Sequence, residues 1–486
     1  MAVTSSIDVL IVGAGPVGLF LANECARRKL SHRLIEARSA QSTHSKALAI
    51  FPRTLETFDM AGLAGPFVDA ANRVTSISVV AHQRPLAELR FEPEQTPYSF
   101  IAMVPQDVTE SLLLKHLESA GGAVEYDTKF LSADALDDRA VAHVDQSGKS
   151  IDIEASFVVG CDGSHSAVRR LIGSPFEGGE YEASFMLADV DTNEELPADQ
   201  MQVCPNESGP LAIFPMSASR RRIVATVEEQ EGEAPSLELA RKLLANRGPV
   251  GMQARALRWS SYFRIHHRQV ATLRSGRFFI AGDAAHIHSP FGGQGMNTGL
   301  QDAWNLVWKL DLATRGRAGE VLLDSYSAER RPVIKQVMEG TDLLTKGMAT
   351  PNKLAQTLRD VLIPAASHLP PFVHAFVNRL SGLGIAYSGS PIVDGEGQRC
   401  FDDSMRGGDG IAHHFLLLCD AGDETAMREA LGRLPERLRS LIELRCARRE
   451  ETVLVRPDGY IACSGRHRAP THMLESVRSV LERQVI

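Results

Sequence analysis

Gly13-Ala14-Gly15-Pro16-Val17-Gly18 spaces three glycines as Gly-x-Gly-x-x-Gly between an apolar run at 7–12 and a helical pattern at 16–28. A strand feeding directly into a helix leaves unpaired amides at the helix start, and those amides together with the helix dipole attract a diphosphate. Glycine serves where the turn is tight, where backbone approaches phosphate and where helix and strand pack closely. Glu36 ends the next apolar stretch, eighteen residues past Gly18. That is close to the roughly 20-residue offset of a carboxylate that binds ribose hydroxyls. An acid at this place favours an unphosphorylated ribose, so FAD or NAD rather than bound NADP. Glycine turns of this spacing also occur as purely structural features; the strand before, the helix after and the acid beyond point to a dinucleotide.

Two further segments place an aspartate just after an apolar run, where ligands of open parallel sheets sit. One is Gly160-Cys161-Asp162-Gly163-Ser164-His165-Ser166-Ala167-Val168-Arg169. The other is Gly282-Asp283-Ala284-Ala285-His286, continuing through Pro290-Phe291-Gly292-Gly293-Gln294-Gly295-Met296-Asn297. Its glycine cluster precedes a long helical pattern at 299–312 and would expose several amides to a partly negative ligand. Pro290, with its fixed φ, suits a rigid wall before that cluster. Taken singly, either aspartate–glycine step is equally readable as a turn.

The elements that must position these residues follow from periodicity. Strand signals at 7–12 and 33–36 flank the first helix, and a second helix starts near Asp107, whose side chain is expected to cap it. Short β-like pieces from 123 to 160 end directly before Gly160. Residues 185–270 carry several β-prone runs and one helical stretch near 237–244, the pattern of a separate, mainly antiparallel sheet inserted into the first domain. The expected fold is therefore α/β. A Rossmann-type domain comprises 1–75, 106–184 and 271–345, an inserted substrate sheet 76–105 and 185–270, and a proline-punctuated helical connector 346–390. A final α/β unit spans 391–486.

The chain has 486 residues, 44% hydrophobic and 23% charged, as in ordinary globular proteins. Sixty acidic against 52 basic side chains leave a net charge of −8, which argues against a general nucleic-acid surface. Seven scattered cysteines show no C-x-x-C and no zinc-ligand spacing, so free thiols and no metal are expected. No run reaches the roughly 18 apolar residues of a spanning helix. The run at 7–22 lacks a basic leader and is broken by glycine and proline, so a cytoplasmic location is the expectation.

The three motifs, in this order and spacing over about residues 5–340, resemble the FAD-dependent aromatic hydroxylases related to p-hydroxybenzoate hydroxylase. The tail, with Val453-Leu454-Val455-Arg456-Pro457-Asp458-Gly459-Tyr460, is similar to the thioredoxin-like C-terminal domain of the phenol hydroxylase branch, an arrangement shared by polyketide hydroxylases. The resemblance implies that residues 13–18 hold the FAD diphosphate, Glu36 the adenosine ribose and Gln106 the ribityl and phosphate region. Either Lys46 or Arg53 approaches the diphosphate; relatives often carry arginine at the earlier position. Asp283 would bind the ribityl chain, the amides of Gly293, Gly295, Met296 and Asn297 would face the flavin pyrimidine, and Pro290 would lie near its reactive edge. Asp162 would serve both FAD and a passing NADPH or NADH, supported by Arg169. The implied reaction hydroxylates a phenolic, single- or many-ringed substrate with O2 and NAD(P)H through a C4a-hydroperoxyflavin.

Other readings are weighed beside it. His266, His267 and Tyr262 are weak candidates for a base that deprotonates the substrate, against a structural role. Phe214, Met216 and Phe263 are either pocket walls or sheet core. His286 and His288 are read as shaping the loop, Trp304 and Trp308 as core, and Arg220-Arg221-Arg222 as a solvated hairpin tip. The tail lacks C-x-x-C, and with Cys419 and Cys463 standing alone it is read as a packing or oligomerisation module, which leaves a homodimer open. A same-fold flavin reductase and a flavin-bearing redox sensor are the alternatives. An ordinary NAD dehydrogenase gives no reason for residues 282–297. The Trp304-Asn305-Leu306-Val307-Trp308 segment does not match the halogenase signature.

Overall fold

A computed structural model describes residues 6–42, 45–193, 197–227, 234–289, 292–348, 352–408, 414–447, 449–466 and 470–484; within these, the side chains of 180–183, 265–266, 346, 353–355 and 466 are not described. Pro290 and Phe291 lie outside the described residues.

Ile7–Val12 pairs in parallel with His32–Ile35 on one side and Lys149–Gly160 on the other. Phe278–Ile280 continues the parallel sheet beyond Lys149–Gly160. Val9 to Ile11 are fully buried, as strands covered on both faces must be. The chain leaves Ile7–Val12 toward one side and returns on the other, so a crevice opens at this switch point, where α/β sheets bind ligands. Thr128–Ala135 and Ala140–Gln146 form an antiparallel arm on Lys149–Gly160.

The second sheet runs in the order His286–Ile287, Ala254–Val270, Phe176–Thr192, Arg220–Val227, Leu211–Pro215, Gln200–Cys204, Ser76–Ala81 and Arg84–Arg90. Only Ser76–Ala81 with Gln200–Cys204 is parallel. The expected inserted antiparallel sheet is present, but its second segment begins at Phe176 and recruits His286–Ile287 from the third motif, so this sheet and the crevice share backbone.

The long helix Gly295–Thr314 is buried almost throughout, with Trp304 and Trp308 in the core as expected. The connector is helical, with Lys353–Ser367 and Pro370–Ser381. In the tail, Phe415–Cys419 pairs in parallel with Ile442–Cys446 and antiparallel with Glu451–Val455, which pairs antiparallel with Ile461–Arg466. Among the described residues no helix is long and apolar enough to cross a membrane.

The tail docks through a buried ionic cluster. Arg456 Nη2 donates to Glu329 Oε2 at 2.9 Å and its Nε to Asp458 Oδ1 at 3.0 Å. Lys309 Nζ donates to the same Glu329 oxygen at 2.8 Å, and Trp304 Nε1 donates to the Asp458 carbonyl at 2.9 Å. Burial alone would neutralise Glu329, yet Arg456 and Lys309 hold its carboxyl well below the ordinary range.

Two local expectations are corrected. Asp107 does not cap its helix: Gln106–Ser119 begins after Pro105 with no side-chain cap, and Asp107 Oδ1 is buried without a partner. Arg221 and Arg222 are not a solvated tip. Both are buried on opposite faces of Arg220–Val227, Arg221 donating to the carbonyls of the preceding turn and Arg222 to Asp189. A buried strand admits arginine where such acceptors are supplied from elsewhere in the chain.

Candidate active site

Three chain reversals meet at the crevice. In the first, Gly13 has φ +103°, and a Cβ there would stand 2.5 Å from the Cys161 carbonyl oxygen. A Cβ on Gly18 would stand 1.9 Å from the Gly13 carbonyl oxygen, so helix and turn touch backbone to backbone. Gly15 differs, because nothing lies within 4 Å of its Cβ direction. It caps Pro16–Arg27 without any side-chain acceptor, leaving first-turn amides free for a ligand.

Glu36 Oε2 accepts the Ala14 amide at 2.9 Å, and Arg38 donates its amide and side chain to the same carboxylate at 3.0–3.1 Å. Burial works against the charge, but the Arg38 and Ala14 bonds prevail and hold the carboxyl below its usual range. Arg38 was not foreseen; its only sequence sign was a cation two residues past the acid.

Second and third turns are tied together. Asp162 Oδ2 accepts the Ala167 amide at 2.6 Å, while Oδ1 is buried with no partner. Arg169 donates to the carbonyls of Ala284 at 3.0 Å and Ser164 at 2.8 Å, and its guanidinium lies 3.8 Å from the Phe176 ring centroid. Val17 wedges the third turn onto the first: a Cβ on Gly282 or Gly299 would approach its Cγ2 to 2.9 or 2.7 Å. Asp283 is exposed on the turn Gly282–Ala284; surrounding protein raises its carboxyl pKa, opposed by His286 and Lys46. His286 Nε2 lies 2.8 Å from buried Asp302, which also receives Arg330 at 2.7 Å and the Gly282 amide at 3.1 Å. His286 therefore shapes the loop, as expected.

At the start of Gly295–Thr314, Asn297 Oδ1 accepts the Phe51 amide at 2.9 Å and its Nδ2 donates to Ala49 and Gly293 carbonyls at 2.8 and 3.1 Å. Gly293 adopts φ +62°, and Met296 is buried. His288 donates Nδ1 to the Ser289 carbonyl at 3.1 Å, while its Nε2 has no partner and lies 3.8 Å from the Cβ direction of Gly295. Burial, then His286, pushes His288 down to about 4. The unfolded chain, titrating near 6.5, takes up this proton first. Folding stability is thus expected to fall as pH drops from about 6.5 to about 4, by on the order of 2–3 kcal/mol. Urea titrations across that window, with His288→Asn flattening the slope, check this. A groove of about 300 Å³ opens between Gln301, Val337 and Asn378; of the expected cofactor-binding residues only Asn297 lines it, beside Gln294 of the same motif.

Lys46 and Arg53 separate clearly. Lys46 is exposed and close enough to Asp283 to lower its pKa. Arg53 is buried and turned to the tail, bonding Glu56 at 3.1 Å and the Asp458 carbonyl at 3.0 Å, with the Tyr460 ring 4.6 Å away. Gln106 Oε1 accepts the Ala47 amide at 3.1 Å, and its Nε2 donates to Glu110 at 2.9 Å. From the opposite side Arg222 donates to the Lys46 and Ala47 carbonyls at 3.2 and 3.1 Å while paired with Asp189 at 2.7 Å. Sequence reasoning missed this clamp; alternation along a strand beside Asp189 is the faint signal it left.

On the second sheet, Phe214 stands opposite Arg222, and Asp189 opposite both Arg222 and Trp259, so these four share a face. Phe214, Met216 and Phe263 pack in one apolar cluster there with Trp259. Tyr262 belongs to the other face, against Leu237, Leu243 and Leu244. His267 is partly buried with Nδ1 unpartnered; the His266 side chain lies outside what is described.

Free amides at two helix starts, a ribose-placed carboxylate and an orphaned Asp162 oxygen suit a dinucleotide, and define a Rossmann-type cofactor-binding protein with a second sheet over the cleft. The chain belongs to the FAD binding domain family, whose family model matches residues 6–341. It is 35% identical to 6-methylpretetramide 4-monooxygenase of Streptomyces rimosus, over 87% of this chain and 77% of that one. Pentachlorophenol 4-monooxygenase of Sphingobium chlorophenolicum is 32% identical, covering 68% and 63%. Among solved structures, the anhydrotetracycline hydroxylase OxyS of Streptomyces rimosus superposes with a TM-score of 0.81 at 29% identity, covering 98% and 99%. This chain is an FAD-dependent monooxygenase, which sets aside the reductase and sensor alternatives.

Proposed function

We propose that the enzyme hydroxylates a fused-ring phenol held between the cofactor cleft and the sheet face of Phe214, Met216 and Phe263. The observation that carries this reading is that the face also bears Arg222, which grips the loop at Lys46 and Ala47. A flat aromatic on that wall would be walled off from water beside the cofactor. The relatives named for tetracycline-type and phenolic substrates support the class.

Bound FAD supplies acceptance of hydride from NADPH or NADH and activation of O2. The chain's tasks are positioning and electrostatics. The amides of Gly15, Val17 and Gly18 and the Lys46 ammonium would neutralise the diphosphate, and Glu36, held ionised by Arg38, would take ribose hydroxyls. Asp283 and Gln106 would hold the ribityl chain. The amides of residues 295–297, at a helix start, would stabilise negative charge on the pyrimidine. Asp162 Oδ1 would accept a hydroxyl from either dinucleotide, Arg169 fixing its turn. Pro290 would complete the wall. His267, with a free ring nitrogen, is the remaining candidate for receiving the phenolic proton. We read the tail as a thioredoxin-like packing unit.

Arg222→Lys keeps a charge for Asp189 but loses the fork that reaches two carbonyls; FAD affinity is expected to fall about tenfold, or ~1.4 kcal/mol, in flavin-release fluorescence titrations. Fused-ring phenols are expected to raise NAD(P)H oxidation coupled to hydroxylated product, more than single-ring phenols do. Stimulation confined to single-ring phenols, or none from either, would contradict the proposed substrate class.

A further inference from the structure

The tail carries a thiol pair that the sequence, without C-x-x-C, conceals. Cys419 and Cys446 end neighbouring parallel strands in direct register. Adjacent strands lie about 4.8 Å apart, inside the roughly 4.4–6.8 Å Cα separation that a disulfide spans, and registered residues point to one face. Cys446 also neighbours Glu424, the first residue of helix Glu424–Leu431, closely enough for the carboxylate to raise its thiol pKa. Cys446 is exposed and Cys419 buried. The correction to the sequence reading is that Cys419 does not stand alone.

We propose that Cys419 and Cys446 form a redox-responsive dithiol that closes into a disulfide bridging the edge strand Ile442–Cys446 to Phe415–Cys419. The oxidant class is a low-molecular-weight disulfide such as oxidised glutathione. Cys446, as thiolate, attacks one sulfur, breaking the glutathione S–S bond and releasing one glutathione thiolate. Cys419, losing its proton, then attacks Cys446 Sγ and releases the second. Two protein thiols are oxidised and one disulfide is reduced to two thiols, the two protons passing to the departing glutathiones. Exposed Cys446 is the entry thiol and shielded Cys419 the resolving one. Burial, then nearby Cys446, pushes Cys419 up to about 11, and Glu424 raises Cys446, so both thiols are protonated at neutral pH and exchange proceeds slowly, through the small thiolate fraction of exposed Cys446. Nothing in this inference depends on the substrate assigned above.

The test equilibrates the full-length flavoprotein in oxidised glutathione, alkylates remaining thiols and maps them by mass spectrometry. Cys419 and Cys446 are expected to lose alkylation together, linked to each other and free of glutathione. Cys419→Ser is expected to trap a glutathione adduct on Cys446, and Cys446→Ser, at an exposed position, to leave Cys419 alkylated. A stable glutathione adduct on Cys446 of the unaltered protein with Cys419 still alkylated, or full alkylation of both, would overturn the proposal.

Discussion

Gly18→Ala is expected to purify colourless. Its new Cβ would start 1.9 Å from the Gly13 carbonyl oxygen, a distance that only a backbone shift of an ångström or more relieves. That shift separates the helix start from the strand and misdirects the amides meant for the diphosphate. The expected loss of FAD affinity is at least about 100-fold, on the order of 3 kcal/mol. The ratio of flavin to protein absorbance measures it. Gly15→Ala provides the contrast, because no protein atom lies within 4 Å of its Cβ. It should retain its unfolding temperature without flavin and still bind FAD more weakly, since the open space there is what a ligand would fill. Normal flavin content in Gly18→Ala would show that this turn is not the diphosphate site.

Arg456→Met should be the most damaging change far from the cleft. It strands Glu329 and Asp458, both buried, without their guanidinium; Glu329 keeps the Lys309 cation and the neutral donors Asn305 and Ser390, and Asp458 keeps only the Asn305 amide among the described side chains. Breaking a buried pair on one side destabilises by about 3–5 kcal/mol. Guanidinium denaturation should register this, together with exposure of Trp304 and Trp308 fluorescence as the tail loosens. The Glu329 carboxyl is depressed in the folded state, so its contribution is present above its ordinary pKa of 4.5 and is lost as pH falls through the folded value. The variant should accordingly be less sensitive to acid than the parent. A change below about 1 kcal/mol would mean that the cluster is solvated and the tail held by apolar packing alone.

The first turn was legible in the sequence because strand, glycines, helix and acid are contiguous and each has a local reason. The second and third turns were legible as separate aspartate–glycine steps, but Val17 packing on Gly282 and Gly299 could not be read, since that contact joins residues hundreds of positions apart. Arg222 was misjudged for the same reason. Three successive arginines look solvated until Asp189 and the carbonyls of Lys46 and Ala47 arrive from elsewhere in the chain. Arg456-Pro457-Asp458-Gly459-Tyr460 was visible as a motif without its physical meaning, which lies in Lys309 of helix Gly295–Thr314 and Glu329 of helix Glu320–Met348, more than a hundred residues earlier. Alternation predicted the β-rich segment, but not which face Tyr262 and Phe263 take, because register is set by neighbouring strands. Cys419 and Cys446 met only through strand register, which spacing along the chain cannot reveal.

Turnover under ¹⁸O2, with a fused-ring phenol that stimulates NAD(P)H oxidation, tests the central claim most directly. One ¹⁸O atom per product molecule, absent when the label is in water instead, is the expected result. Product oxygen drawn from water, or NAD(P)H consumed with no labelled product from any such phenol, would contradict an aromatic oxygenation at this cleft.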